Sequence, residues 1–483
     1  MPPPTAVDNA VKDIRHHMES GVFNPITHDD MRSVANTLKN LDGADARAVI
    51  QKLSPDELRD IAGEIQDDGW FGTGGLDQGE KTDLFNEMAR DLGGAELAKF
   101  AGAFDRTQGR QTARDRLASD DNIAQIARAV SQHGDVPTQL AFIRELAGQS
   151  TDQTKVETMN ETRMYDPQAR AIAEVIGGMG NVPGAAEVAL ESLAPDQRRA
   201  VINASTSEKL LVSGAMGGVG AVRTDTSLFD KLMDVSSRIG DADTKARVFA
   251  DAASELKDLA SRGRGDAADE VRKSMGKLLQ SDVNGIVGEL AANTETSNGT
   301  ALATYMKAAL EAKDFGTLGE LQAQMSLGNG KNEDPVARFE QTVTSPSGAP
   351  RHANAEAAGY FAGALSAAVT SITKDAKEQG DLINATLKSV LTVVDKTAGR
   401  AHPGVGIAAS VLKEWTQFGV KAAMDAKISD QVSADDKIFW ALVPSRETRV
   451  LPNGQPDREA AAGSASASAF NSAWIVTREH AKP

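Results

Sequence analysis

Apolar residues recur along this chain at steps of three and four, the period of a helix that buries one stripe. Met31, Val34, Leu38 and Leu41 form one such stripe, and Val49, Ile50 and Leu53 continue the pattern in a second helix. Further on the stripes lengthen. Phe361, Leu365, Ala368 and Ile372 predict one long helix, Ile383, Leu387, Val390 and Val394 a second, and Val411, Trp415, Phe418 and Ala422 a third. The last two are joined through Ala401-His402-Pro403-Gly404. A shorter helix is expected over 7–18.

Polar residues punctuate these stripes at fixed places. Three helix starts share one template: Asp77, Lys81, Phe85 and Ala89; Asp135, Gln139, Ile143 and Ala147; Asp241, Lys245, Phe249 and Ala253. Each is an Asp positioned to cap, then a long polar residue, a bulky apolar residue and an Ala at successive intervals of four. Ser54-Pro55-Asp56-Glu57 reads as a capping box with proline at the first helical position, and Ala194-Pro195-Asp196-Gln197 repeats it imperfectly. Thr27 or Asp29 caps the helix before Met31, and Asp42 or Asp45 the next. Short breaks at Gly93-Gly94, Gly134-Asp135 and Gly240-Asp241 set neighbouring helices antiparallel. The expected fold is all-α: a degenerate helical-repeat, solenoid-like or multi-helix body, followed by a C-terminal long-helix unit.

Four regions are expected: helical-repeat regions over 1–160 and 161–345, a three-helix unit over 346–428, and an irregular tail over 429–483. The boundary at 345/346 follows Thr344-Ser345-Pro346-Ser347-Gly348-Ala349-Pro350, preceded by the polar stretch Gly328 to Asp334. In the tail, Leu451-Pro452-Asn453-Gly454 is a turn and Gly463 to Ala469 a low-complexity linker, after which Phe470 to Val476 forms a short docking element.

Composition narrows the picture. Of 483 residues, 40% are hydrophobic but only 4% aromatic, which points to closely packed aliphatic helices. The formal net charge of −16 opposes nucleic-acid binding. That charge lies in residues 1–353, because 354–428 hold eight Lys/Arg against seven Asp/Glu and 429–483 hold six against seven. The absence of cysteine removes disulfides, thiolate metal sites and thiol nucleophiles, and has two readings, a chance absence or selection in a chain exported through oxidising surroundings. Met1-Pro2-Pro3-Pro4-Thr5 opens no basic and apolar leader, so export is expected by a signal-peptide-independent route, with the chain cytoplasmic beforehand.

No motif assembles a reaction centre. The run Leu210 to Gly220 has a strand-like entry and many glycines, but neither the dinucleotide spacing nor a phosphate-loop lysine, and it reads as a helix–helix connection. Asp67 to Gln78 fails as a calcium loop because Gly69, Phe71 and Gln78 stand where oxygen ligands belong, leaving a turn that offers Trp70 and Phe71 to helix ends or to a partner. The seven histidines, His16, His17, His28, His133, His352, His402 and His480, match no zinc spacing. No catalytic, cofactor or metal residues are therefore assigned. Residues 357–373 form a long uncharged run with Gly359 and Gly363 four apart, the spacing of close helix contacts. Such a helix spans about 25 Å against a hydrocarbon core of roughly 30 Å, so it predicts a buried central helix, with insertion after rearrangement as the alternative. Gly359, Phe361, Gly363, Leu365, Trp415 and Phe418 are the expected partner or membrane contacts there.

The segments Leu53 to Gly63, Gly79 to Ala89 and Ala357 to Leu365 resemble parts of large all-helical secretion-effector and polymorphic-toxin proteins of Gram-negative bacteria. The resemblance implies an exported, non-enzymatic effector acting through protein or membrane contact, with a secretion component, chaperone or immunity protein as partner. It brings no catalytic residues, and no enzymatic tip follows the helical body. A helical-repeat scaffold that binds other proteins is the alternative, and an unrecognised enzyme the third reading.

Overall fold

A computed structural model describes the chain apart from residues 1–4, 20–25, 67–74, 105–112, 150–153, 158–161, 211–221, 294–295, 328–334, 345–347, 399–419, 426–432, 434–436, 439–440, 444–464 and 482–483. Two compact units divide it, residues 1–240 and 241–483. Helices dominate both, as the period of three and four predicts.

The first unit contains α1 (Ala6–His17), α2 (His28–Lys39), α3 (Gly43–Lys52), α4 (Pro55–Gln66), α5 (Gln78–Asp91), α6 (Gly94–Ala103), α7 (Ala113–His133) and α8 (Val136–Ala147). After two strands come α9 (Pro167–Gly178), α10 (Pro183–Ser192) and α11 (Pro195–Ala204), and after two more α12 (Ser227–Ser237). Helices α6 and α8 pack together, as do α5 with α7, and α7, α11 and α12 with α9. The aliphatic seams of the sequence are the buried ones: Met31, Val34 and Leu38, then Val49, Ile50 and Leu53. The few aromatics are concentrated. Phe85, Phe100 and Phe104 meet edge to face with ring centroids 5.5–6.5 Å apart.

Helix starts follow local chemistry. Thr27, rather than Asp29, caps α2, and Asp42, rather than Asp45, caps α3. Ser54 and Glu57 close their box reciprocally, the Glu57 N–H donating to Ser54 Oγ (3.2 Å) and the Ser54 N–H to Glu57 Oε2 (2.8 Å). Ala194 has no side-chain acceptor, so only the return half forms, from its N–H to Gln197 Oε1 (2.9 Å). Asp77, Asp135 and Asp241 cap α5, α8 and the first helix of the second unit.

The long polar residue of the shared template is buried in all three cases, as Lys81, Gln139 and Lys245. At α8 its task is visible: Gln139 Nε2 donates to the carbonyls of Val130 (3.3 Å), Ser131 (3.1 Å) and Gly134 (3.1 Å) at the end of α7. The Val130 carbonyl also accepts the Gly134 N–H (3.0 Å), so Gln139 reinforces that bond and supplies a donor to Ser131 and Gly134 beyond it. Other ends are closed the same way. Lys99 of α6 serves Ile50 and Leu53 at the end of α3, Gln197 of α11 serves Ala147 at the end of α8, and Arg170 of α9 serves Ala204 at the end of α11.

A small sheet departs from the all-helical expectation without changing the fold class. Strands β1 (Thr154–Glu157), β2 (Thr162–Tyr165), β3 (Ser207–Leu210) and β4 (Val222–Asp225) form an antiparallel sheet in that order. Lys209 pairs with Arg163 on one side and Arg223 on the other. The run beginning at Leu210 is therefore entered and left by paired strands, not by helices, and 211–221 lie outside the described residues. Segments of four residues are too short for alternation to show in sequence.

The second unit holds α13 (Ala242–Ser261), α14 (Gly265–Ser281), α15 (Val283–Ala292), α16 (Thr296–Glu311), α17 (Phe315–Leu327) and α18 (Pro335–Glu340). Strands β5 (Val343–Thr344) and β6 (Pro350–Arg351) follow, then α19 (Ala353–Ile372), α20 (Ala376–Ala398), α21 (Lys421–Asp425) and α22 (Ala465–His480). Helix α13 packs on α14, α15 and α16. Arg272 of α14, 5% exposed, donates to Asp269 (2.7 Å) on its own helix and to Asp314 in the turn between α16 and α17. Asp314 also accepts from the Thr317 N–H, so one carboxylate caps α17 and anchors the turn.

The Pro/Gly/Ser segment expected to divide 161–345 from 346–428 is flanked by the paired strands β5 and β6, inside one compact unit. The expected three-helix unit is not a separate body, because α19 packs on α15 and α16 and α20 packs on α17. The tail is not irregular throughout either. Residues 465–469, read as linker, open the sixteen-residue helix α22. Alternating Ser and Ala look featureless, yet both are small enough for a helix that packs closely. Most of the third stripe, with Trp415 and Phe418, lies outside the described residues, as do Trp70 and Phe71.

Replacing Gln139 by Leu removes the donor that the half-buried Ser131 and Gly134 carbonyls share, and a destabilisation of about 1–3 kcal/mol is expected in denaturant unfolding. Asp135→Ala, which removes only the cap, should cost about 1 kcal/mol. Acid unfolding provides a second measurement. The Arg15 side chain and the Ser54 backbone hold Glu57 down at about 2 from 4.5, and the Thr27 hydroxyl and N–H, with His17, hold Asp30 at about 2 from 3.8. Both folded values are depressed, so their stabilisation is complete above the unfolded values and is lost as pH falls towards 2. Glu57→Gln and Asp30→Asn should each flatten the stability–pH curve between about 4.5 and 2, read by circular dichroism.

Candidate functional site

The described contact residues expected from sequence converge on α19. Its start is tied to the preceding chain: Arg351 donates to Glu356 Oε2 (2.9 and 2.5 Å), and Asn354 Nδ2 to the Arg338 carbonyl (3.0 Å). From Ala357 to Val369 every residue is buried, including Gly359, Phe361, Gly363 and Leu365. The helix is thus enclosed, as the uncharged run predicts.

Helices α15 and α16 cover part of α19, and α22 makes the closest approach. A Cβ on Gly359 would lie 2.2 Å from the Phe470 carbonyl oxygen, and one on Gly363 would lie 2.7 Å from both the Trp474 carbonyl oxygen and Thr477 Cβ. Ascending numbers on α19 meet ascending numbers on α22, so the two helices run parallel in near backbone contact. Parallel neighbours gain nothing from their dipoles, and close van der Waals packing is the force available. Phe470 completes the joint against Trp474 (centroids 6.0 Å) and Phe339 of α18 (6.1 Å). Thr477 turns its hydroxyl back to the Ala473 carbonyl (2.7 Å), which frees its methyl side for packing. The glycine pair is legible in sequence; its partners Phe470, Trp474 and Thr477 share the spacing of one helix face, but nothing local links them to residue 359. The outward face of α22 exposes Ile475 and Val476.

Ionisable groups elsewhere serve structure. Among the described residues the carboxyls held below their ordinary range are those of Asp8, Asp30, Glu57, Asp135, Asp241, Asp269 and Asp314, and each caps a helix, closes a capping box or pairs with a cation. At Asp314 burial opposes the shift, but hydrogen bonds from Arg272 and Thr317 outweigh it. Burial and nearby Asp243 and Asp241 push Glu289 up, and burial pushes the Tyr305 phenol up and Lys437 down. These three do not converge on a common centre; Lys437 Nζ donates to Asn384 Oδ1 (2.9 Å). His28, His352 and His480 contact backbone carbonyls, and His17 contacts Asp30, the capping and surface roles their scattered spacing suggests. Asp77, at the end of the loop tested as a calcium site, accepts the Glu80 N–H (2.8 Å) as a helix cap. Among the described residues no group of three metal-binding side chains gathers, and no helix is long and apolar enough to cross a membrane.

Neither a protein-family model nor a curated protein matches the chain. Among solved structures, a crystal structure of a Kap121p mutant aligns with 99% of this chain and 45% of its own, at 10% identity and a TM-score of 0.21. The chain thus spans less than half of that protein, and a likeness so slight carries no argument.

Gly363→Leu cannot keep the α19–α22 approach. Limited proteolysis of the full chain should cut near the C-terminus at least about tenfold faster in this variant, since a displaced terminal helix is open to cleavage. Glu479→Gln, on the outer face, should leave the rate unchanged.

Proposed function

We propose that the protein is a non-enzymatic helical scaffold that works by holding a protein partner against its stacked helices, in the setting of an exported effector that the resemblance of its segments implies. The carrying observation is how its polar side chains are spent. Gln139, Lys99, Gln197 and Arg170 close the ends of helices other than their own, and the depressed carboxylates cap or pair. Such clasping stiffens a stack and yields a fixed surface instead of a reaction centre. The excess negative charge over residues 1–353 favours a partner with a basic face, and a cysteine-free chain suits passage through oxidising surroundings. The enclosure of α19 by α22 favours protein contact over membrane insertion.

The test is reconstitution from purified components. A partner captured by the full chain should re-form a stoichiometric complex whose affinity falls at least about tenfold between 50 and 500 mM salt, the signature of charge complementarity. A salt-indifferent complex, or substrate turnover by the purified chain, would sink this reading.

A further inference from the structure

The contact between α17 and α20 differs in kind from that between α19 and α22. Gly319 of α17 lies against the backbone of α20: a Cβ there would stand 2.7 Å from Ser389 Cβ and 2.8 Å from the Val390 nitrogen. Gln322 and Ser326 follow Gly319 by three and seven residues, which keeps them towards the same flank of α17. Gln322 is 1% exposed, yet neither its amide nitrogen nor its oxygen meets a protein hydrogen-bonding group, and the Ser326 hydroxyl is likewise unpaired. No hydrogen bond joins them to a side chain described on α20. Its own hydroxyls are turned inward, Thr386 to the Leu382 carbonyl (3.1 Å) and Ser389 to the Ala385 carbonyl (3.3 Å), and the Asn384 oxygen is taken by Lys437. Among the side chains described on α20, the buried apolar set is Ile383, Leu387 and Val390, where α19 buries residues all round.

A buried amide without a partner regains its hydrogen bonds when water reaches it, so it favours the open state of whatever covers it. We infer that α20 is a latch: it lifts from α17 as a unit, together with Thr373 and Asp375, which hydrogen-bond to its first turn, while α13–α17 and α19 stay folded. Opening hydrates Gln322 and Ser326 and presents Ile383, Leu387 and Val390 as an apolar helical stripe. This inference is independent of partner binding and of the charge argument above.

Hydrogen exchange of the full chain, followed by mass spectrometry, tests it. Amides of residues 380–392 should exchange at least about tenfold faster than those of 357–369, as expected for a sub-global opening. Gln322→Met keeps the volume and removes the unpaired amide, so it should slow exchange of 380–392 several-fold and raise the thermal midpoint. Ser326→Ala should act in the same direction and serves if the first variant folds poorly. Equal protection of α20 and α19 overturns the latch. So does unchanged or faster exchange in the variants, the latter showing that water already pairs with these groups in the closed state.

Discussion

Every helix leaves N–H groups bare at its start and carbonyls bare at its end, and a protein made of many short helices must satisfy these ends inside its own packing. In this chain α1 to α5, α8, α9, α13 and α15 have their starts closed locally by an Asp, Ser or Thr. The ends are solved at a distance. Gln139 reaches from α8 to the last carbonyls of α7, Lys99 from α6 to α3, Gln197 from α11 to α8 and Arg170 from α9 to α11. Asn284 of α15 does the same for Gln324 near the end of α17. The interaction that finishes one helix thereby fixes the position of another, and the stacking of the body follows from it.

The same economy explains why so many charges are structural. Arg272 loses its hydration inside the second unit and is compensated by Asp269 and Asp314, the latter serving also as the cap of α17. Lys313, just before it, takes the left-handed conformation usually given to glycine (φ 57°), and the Asp314 N–H then closes on the Ala309 carbonyl. One turn thus joins a helix end, a helix start and a buried cation.

Close approach is the second device, and it produces opposite outcomes. Between α19 and α22, Gly359 and Gly363 meet a helix that supplies Phe470, Trp474 and Thr477, so absent side chains on one helix are matched by packed ones on the other. Between α17 and α20, Gly319 gives equal proximity, but Gln322 receives no partner.

Cap residues and aliphatic seams were readable in advance because both act within a few residues: Ser54 with Glu57, Asp135 with Thr138, Met31 with Val34 and Leu38. The glycine pair on α19 was readable for the same reason. The small sheet was not, since four-residue strands carry too little period, nor was the opening of α22, whose Ser/Ala run is identical in composition to a linker, although its Phe470 to Val476 stretch was readable as a docking element. The Pro/Gly/Ser segment between β5 and β6 misled because composition marks a turn without saying whether the chain beyond it packs back onto the helices before it. Local chemistry alone thus determined where helices begin and which faces they bury. Which helix closes another's end, which one covers α19, and which buried amide stays unpaired were decided only in three dimensions, because those contacts join residues far apart in the chain and depend on distances that no local pattern encodes.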